Sequence, residues 1–385
     1  MNLETEAAAE LAELEAANRR RRPLVFSGPQ RARIQHGGRD LLSFSSNDYL
    51  GLADHPRLLQ AVRDGLESCG LGAGASRLIS GTRELHRAAE SALAKWVGLP
   101  KALLFSSGYA ANLGALQTFL TRGDIVFSDA LNHASLIDGC RLSRAQVQPY
   151  RHRDLVDLAL LLDRQRPHYR RALICTDTVF SMDGDEAPLG ELRDLADRYD
   201  ALLLVDEAHA LGVFGPDGRG LCADQGVVPD LLVGTLGKST GLCGAFVAAS
   251  ASAIELLENR ARSYVFSTAS PPALAHAIPV AVELCRRADA ARHQLGSHAR
   301  RLREGLADRG FEVLPGRSPI LPILVRDDAE VMRLSAALLR EGVFVHGIRP
   351  PTVPVGTARL RLTLMATHTG EDLQALLRAF DAASA

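Results

Sequence analysis

A lysine stands where this chain otherwise uses arginine. Only Lys95, Lys101 and Lys238 are lysines, and Lys238 alone lies in a glycine-rich string, GTLGKSTG at 234–241, directly after the apolar run Leu231–Val233. Glycines there let another molecule approach the backbone. A primary amine, unlike a guanidinium, can lose its proton and attack a carbonyl carbon, so this placement points to a Schiff-base lysine. Lys95, in the helical run Glu90–Val97, and Lys101, at the start of a strand, read as surface charges. The plain alternative for Lys238 is a solvated loop residue. A second alternative is a nucleotide-binding phosphate loop, since Gly-Lys-Ser occurs here, but that pattern needs a glycine at 232, which is Leu232. The stretch from Gly234 to Gly237 is also too short to wrap a phosphate chain.

Four more segments carry residues of the right type. The run Leu202–Val205 ends in Asp206 and then His209, a pair that elsewhere is often only a helix cap and a surface imidazole. Beside a pyridoxal phosphate ring, Asp206 would keep the pyridine nitrogen protonated and His209 would hydrogen-bond the phenolic oxygen. Glu207 points elsewhere if the chain is extended. The string FSSGYAAN at 105–112 reads as strand, turn and helix start, where the amides of Gly108 and Tyr109 could hold a phosphate; such turns are common without any ligand. His133, in DALNHAS, could stack on a cofactor ring, although a lone histidine is more often structural. Ser181, in FSMDGD, could touch the ring oxygen or simply serve its turn.

These residues need a scaffold that brings strand ends together. Short apolar runs at Lys101–Phe105, Asp124–Ser128, Ala172–Thr176, Ala201–Val205, Leu231–Thr235 and Gly244–Ala249 alternate with helical stretches such as Glu191–Tyr199. That alternation predicts an α/β domain with a mostly parallel sheet, whose ligands gather outside the carboxyl ends of the strands. A helix with Leu11 and Leu14 on one face is expected from Leu3 to Ala17, stopping at Arg19–Arg22 before Pro23. Those arginines read as a helix-dipole complement or a solvated cluster, or else as an anion contact. After Pro271–Pro272 comes a long helical segment, then Glu312–Val313, Ile320–Val325, Val343–Val345, the alternating Arg359–Leu364 and a last helix from Glu371, which predict a smaller α+β domain. The expected organisation is an N-terminal helix and arm over 1–45, a large domain over 46–275 and a small one over 276–385.

Composition narrows the classes. With 46% apolar residues, 5% aromatic and a net charge of −1, the chain has the material for a sizeable core and no general attraction to nucleic acid or anionic membrane. Six cysteines without a C-x-x-C pair read as reduced buried thiols, and no metal site is expected. The N-terminus is acidic and no apolar run reaches the ~18 residues of a membrane span, so the expected compartment is the cytoplasm.

Order and spacing say more than any single segment. FSSNDYLGL at 44–52, GAGASRLISGT at 72–82, FSSGYAAN, NHASL, FSMDGD, DEAHALG, TLGKSTG, YVFSTASPP and RPPTVPVGTARLRLTL at 349–364 together resemble the α-oxoamine synthases, fold-type-I pyridoxal phosphate enzymes, over nearly the whole chain. The resemblance implies that Lys238 carries the cofactor and that Asp206 faces the pyridine nitrogen. It puts His209 with Ser181 at the phenolic oxygen and stacks His133 on the ring, where it also meets substrate. Gly108, Tyr109 and Thr235 would hold the phosphate, joined by Thr268 of a second subunit, so a homodimer with composite sites is implied. Arg349 would clamp an amino-acid carboxylate, and Asn47, Thr352 and one of Arg19–Arg22, taken as Arg19, would line the substrate side. The C-terminal IRPPTVPVGTARLRLTLMATH is most similar to the biotin-pathway branch, which implies L-alanine and a pimeloyl thioester, on coenzyme A or an acyl carrier protein, as substrates. A sister enzyme using glycine and a short acyl thioester would share the cofactor residues. Asp177 and Thr178 depart from the pattern of some relatives, which leaves the role of that turn open.

Overall fold

The computed structural model describes residues 2–384. Its strands, in chain order, are β1 (Arg33–His36), β2 (Arg39–Ser43), β3 (Lys101–Phe105), β4 (Ile125–Asp129), β5 (Gln146–Tyr150), β6 (Ala172–Asp177), β7 (Ala201–Asp206), β8 (Leu231–Thr235), β9 (Ala245–Ala249), β10 (Ile320–Arg326), β11 (Val343–Phe344), β12 (His346–Ile348) and β13 (Ala358–Thr363). The chain forms two compact units. The larger takes Asp48–Ser181 and Asp185–Arg292; the other takes the residues up to Asn47, Met182–Gly184, and the chain from His293 onward.

The larger unit is built on a seven-stranded sheet in the order β3-β9-β8-β7-β6-β4-β5. Neighbours from β8 through β5 run parallel, and β9 lies antiparallel between β8 and β3. Every residue of β4, β6 and β9 is buried, as expected when helices cover both faces and the strands become continuous apolar runs. One core cluster joins Leu103, Val126, Leu173, Leu204, Val233 and Val247 to the helix Gly108–Phe119 through Ala111, Ala115 and Leu116. Periodicity missed β1 and β2 and, in this sheet, β5, whose sequence QVQPY is polar and contains Pro149. Proline is tolerated there because β5 is an edge strand.

The smaller unit holds two three-stranded sheets, β1-β2-β11 and β10-β13-β12. The β1–β2 hairpin turns at Gly37 and Gly38, with φ of 56° and 78°, the pair of positive values that a tight primed turn requires. The N-terminal helix Leu3–Ala16 forms as expected but none of its residues is buried, and Leu11 and Leu14 are each 42% exposed. Its apolar positions therefore cover no core of this chain. Among the described residues no helix is long and apolar enough to cross a membrane.

Candidate active site

Parallel strands that end together place their last side chains side by side. Asp177 and Asp206 close β6 and β7 as direct register partners, and Asp129 closes β4 next to them. Asp206 is 4% exposed; its Oδ2 accepts from Asn112 Nδ2 at 2.7 Å and its Oδ1 from the Ala208 N–H at 2.9 Å. Glu207 turns the other way, as the strand alternation predicts. It accepts from Thr178 Oγ1 at 3.0 Å and from the N–H groups of Leu221 and Cys222 at 2.9 and 2.7 Å, so it anchors the start of the helix Leu221–Gln225. Burial raises its pKa, and the backbone donors oppose that rise. Thr178 thus serves Glu207, and Asp177 serves His133, whose N–H it accepts at 2.6 Å.

Lys238 occupies the loop from β8 to β9. Its Nζ lies 2.8 Å from His209 Nε2, and His209 Nδ1 lies 2.7 Å from the Tyr49 hydroxyl, a chain of three polar groups in a largely buried setting. The loop turns back into an antiparallel strand, with no helix after the lysine. A nucleotide phosphate loop needs a helix N-terminus at that point, so the geometry removes that alternative. Gly241 has φ +68°, and a Cβ on it would meet the Leu52 backbone at 2.5 Å, which fixes the loop against the segment after Tyr49.

A helix N-terminus does exist at the FSSGYAAN segment. The helix Gly108–Phe119 is capped by Ser107, whose Oγ accepts from Ala110 N at 3.1 Å. A Cβ on Gly108 would meet nothing within 4 Å, which leaves open space before the first turn. The Tyr109 hydroxyl is engaged by Asp138, so its contribution there is its backbone N–H. Thr235 ends β8 in the same unit, with Oγ1 receiving the Gly237 N–H at 3.3 Å. Ser181 opens the turn after β6, next to Phe180, whose N–H donates to the Asp185 carbonyl at 3.0 Å. Thr268 is exposed and bridges to Ser76.

His133 caps the helix Ala134–Ser143, with Nδ1 3.3 Å from the Ser135 N–H and 2.7 Å from Ser135 Oγ. Burial lowers its pKa, with Asp206 opposing that fall and Lys238 adding to it, so the three groups lie within each other's electrostatic reach. Tyr49, Asn112, Ser135 and Asp177 are the residues that sequence reasoning did not assign a role here. Tyr49 and Asn112 lie inside motifs already noted, but their partners are 160 and 94 residues away, and only the fold pairs them.

The residues expected on the substrate side belong to the smaller unit. Arg349, 6% exposed, donates Nη2 to the Arg20 carbonyl at 2.7 Å and approaches Met332 Sδ with Nη1 at 2.9 Å, while its buried Nε has no partner. Burial, and then the neighbouring Arg21, lower its pKa. Arg21 Nη2 donates to Thr352 Oγ1 at 2.8 Å, and Arg361 Nη1 donates to Asn47 Oδ1 at 3.1 Å. Arg19 instead pairs with Asp328 at 3.3 Å, so of the arginine tract it is Arg21 that touches Thr352.

The donor set of the larger unit suits pyridoxal phosphate. A half-buried amine, a buried carboxylate whose two oxygens already accept hydrogen bonds, an imidazole on each neighbouring segment and an open helix start match its aldehyde, ring nitrogen, ring face and phosphate. Comparison with known proteins points the same way. Residues 39–380 match the family model for class I and II aminotransferases. An 8-amino-7-oxononanoate synthase from Geobacter metallireducens is 49% identical over 95% of this chain and 94% of its own length. A serine palmitoyltransferase from S. paucimobilis, solved with PLP–myriocin bound, superposes with a TM-score of 0.93 at 33% identity, covering 100% of this chain and 98% of that one. The 8-amino-7-oxononanoate synthase of Francisella tularensis superposes with a TM-score of 0.77 at 29% identity, over 88% of this chain and 96% of that one.

Proposed function

Because the chain belongs to the class I and II aminotransferase family and, within it, to the 8-amino-7-oxononanoate synthases, we propose that it condenses L-alanine with a pimeloyl thioester. The products are 8-amino-7-oxononanoate, carbon dioxide and the free thiol, a step of biotin biosynthesis. The solved serine palmitoyltransferases share the fold at 33% identity, whereas the curated relatives at 47–49% share this reaction's name, and the higher identity decides between the two.

Pyridoxal phosphate, when bound, is the electron sink for the bonds broken at the amino acid's α-carbon. Lys238 would hold it through Nζ and, once released by the incoming alanine, would take the α-proton. Asp206 would keep a proton on the ring nitrogen, and its two existing hydrogen bonds hold the carboxylate in place for that work. His209 and Ser181 would meet the phenolic oxygen, and His133 would lie against the ring. The N–H groups of Gly108 and Tyr109, with Thr235, would take the phosphate. Arg349 would grip the alanine carboxylate through its fork, with Thr352, Asn47 and Arg19 on the substrate side.

The observation that carries this reading is the contact of Lys238 Nζ with His209 Nε2 at 2.8 Å, on a histidine already fixed by Tyr49. A homodimer with Thr268 reaching the second subunit's phosphate draws support from exposed apolar residues close in sequence to either end of the Ser76–Thr268 bridge: Leu78, Ile79 and Phe266 are 53%, 80% and 72% exposed. The acyl carrier, coenzyme A or a carrier protein, is to be read from the relative kcat/KM of the two pimeloyl thioesters. Borohydride reduction of the cofactor-loaded protein followed by peptide mapping tests the site. The pyridoxyl group belongs on Lys238; label on Lys95 or Lys101 contradicts the assignment.

A further inference from the structure

Between His133 and Asp206 the structure holds an unbroken line of hydrogen bonds. Asn112 Nδ2 lies 2.7 Å from Asp206 Oδ2 and 2.8 Å from Ser135 Oγ, and Ser135 Oγ lies 2.7 Å from His133 Nδ1. Directions along this line follow from what each group can donate. A carboxylate oxygen only accepts, so the asparagine must present its amide nitrogen and not its oxygen to Asp206. Its second amide hydrogen goes to Ser135 Oγ. The serine hydroxyl, already accepting, has its own proton to give, and the group within reach is His133 Nδ1.

The Ser135 backbone settles the same point independently. Its N–H, which can only donate, points at His133 Nδ1 from 3.3 Å. Two donors therefore converge on Nδ1, which must carry a lone pair, and the ring's single proton sits on Nε2. Among the described residues the ring's hydrogen bonds all run to Nδ1. The arrangement has a cost: Asn112 Oδ1 is buried without a partner, which an asparagine serving packing alone would avoid.

We propose that Ser135 and Asn112 are positioning residues that lock His133 as the Nε2–H tautomer and tie it to Asp206, so that His133 meets the substrate as a hydrogen-bond donor and not as a base. This deepens the reaction proposed above and rests on it only for what the Nε2–H meets. The ring's surroundings agree. Asp206 on β7 favours the charged ring; burial and Lys238 from the β8–β9 loop oppose it, burial most, and Asp177 on β6 spends its Oδ2 on the backbone N–H of His133.

Nitrogen-15 spectra of protein labelled at histidine read the tautomer directly, with the His133 signals identified by their loss in His133→Gln. The wild-type ring should show the neutral Nε2–H pattern from pH about 8 to below its ordinary midpoint of about 6.5. Ser135→Ala should mix the two tautomers and lower kcat by roughly 2- to 10-fold, the worth of one hydrogen bond, with the KM for alanine unchanged. Ser135→Thr, which keeps the hydroxyl, should restore both. A wild-type ring protonated on Nδ1 overturns the proposal without recourse to any variant, as does a Ser135→Ala protein with unaltered His133 signals and kcat. The spectra need no turnover, so an Nε2–H ring in a protein inactive on alanine and pimeloyl thioester would count against the reaction and for the relay.

Discussion

Asp177 and Asp206 are register partners at the ends of adjacent parallel strands, and the two carboxylates have different company. Asp206 receives a side-chain amide and a backbone N–H, whereas Asp177 accepts the N–H of His133; each is 4% exposed. Burial, and then the neighbouring Asp206, push the Asp177 pKa well up. Burial and the like charge beside it both disfavour the ionised carboxylate of Asp177.

That difference in surroundings, with the role proposed for Asp206, predicts unequal sensitivities to the same change. Asp177→Asn replaces a carboxyl whose ionised form is disfavoured by a neutral amide that still accepts the His133 N–H, and should lower kcat/KM by less than about tenfold. Asp206→Asn removes the carboxylate proposed to face the ring nitrogen and should lower it by roughly 100- to 1000-fold while cofactor still binds. Equal losses in steady-state kinetics of the two variants would show that the pair is not divided in this way.

A second prediction concerns pH and stability. His152 lies 2.9 Å from Asp129 through Nδ1 and 2.9 Å from Asp185 through Nε2, with its ring edge-on to Phe180. Burial works against its charge, but the hydrogen bonds to Asp129 and Asp185 outweigh it and hold the pKa up at about 9. A pKa raised above the ordinary 6.5 gives stability that is fully present below about 6.5 and is lost as pH rises through about 9. Melting curves of the wild type and His152→Asn should therefore differ most at pH about 6.5, by up to roughly 3 kcal/mol, and converge near pH 10. A gap that stays constant across that range would mean the imidazole is not the titrating group.

Arg349 carries the third. It is a buried guanidinium beside Arg21, with an unpartnered Nε, and so is short of an anion. Arg349→Lys keeps the charge but loses the two-point grip proposed for the alanine carboxylate. The KM for alanine should rise by roughly 10-fold or more, the worth of a charge-assisted hydrogen bond of about 1.5–3 kcal/mol, while the absorption of the loaded cofactor stays unchanged. A variant with the same alanine KM would place the carboxylate contact elsewhere.

What the sequence could reveal divides along physical lines. Lys238 stands out in the sequence as a candidate because amine chemistry is specific and the chain has so few lysines, and the apolar runs of β3 and β8 have the observed ends because apolar periodicity is a local property. The edge strand β5 was not, since a polar strand with a proline needs only one neighbour to hydrogen-bond it. The contacts of Tyr49 with His209 and of Asn112 with Asp206 were invisible for another reason: they depend on sheet register and on loops that meet over long separations. The N-terminal helix shows the reverse limit, where pattern located the helix but Leu11 and Leu14 found no core to cover.

The most direct measurement is product formation by the purified, cofactor-loaded protein from matched substrate pairs, read by mass and by free thiol released. L-alanine with a pimeloyl thioester should give 8-amino-7-oxononanoate with a higher kcat/KM than glycine with an acetyl or succinyl thioester, or L-serine with a palmitoyl thioester. The acyl pocket should favour the pimeloyl chain over the short chains because each buried methylene adds about 0.8 kcal/mol. A larger kcat/KM for glycine with a short thioester, or for serine with palmitoyl, would contradict the account.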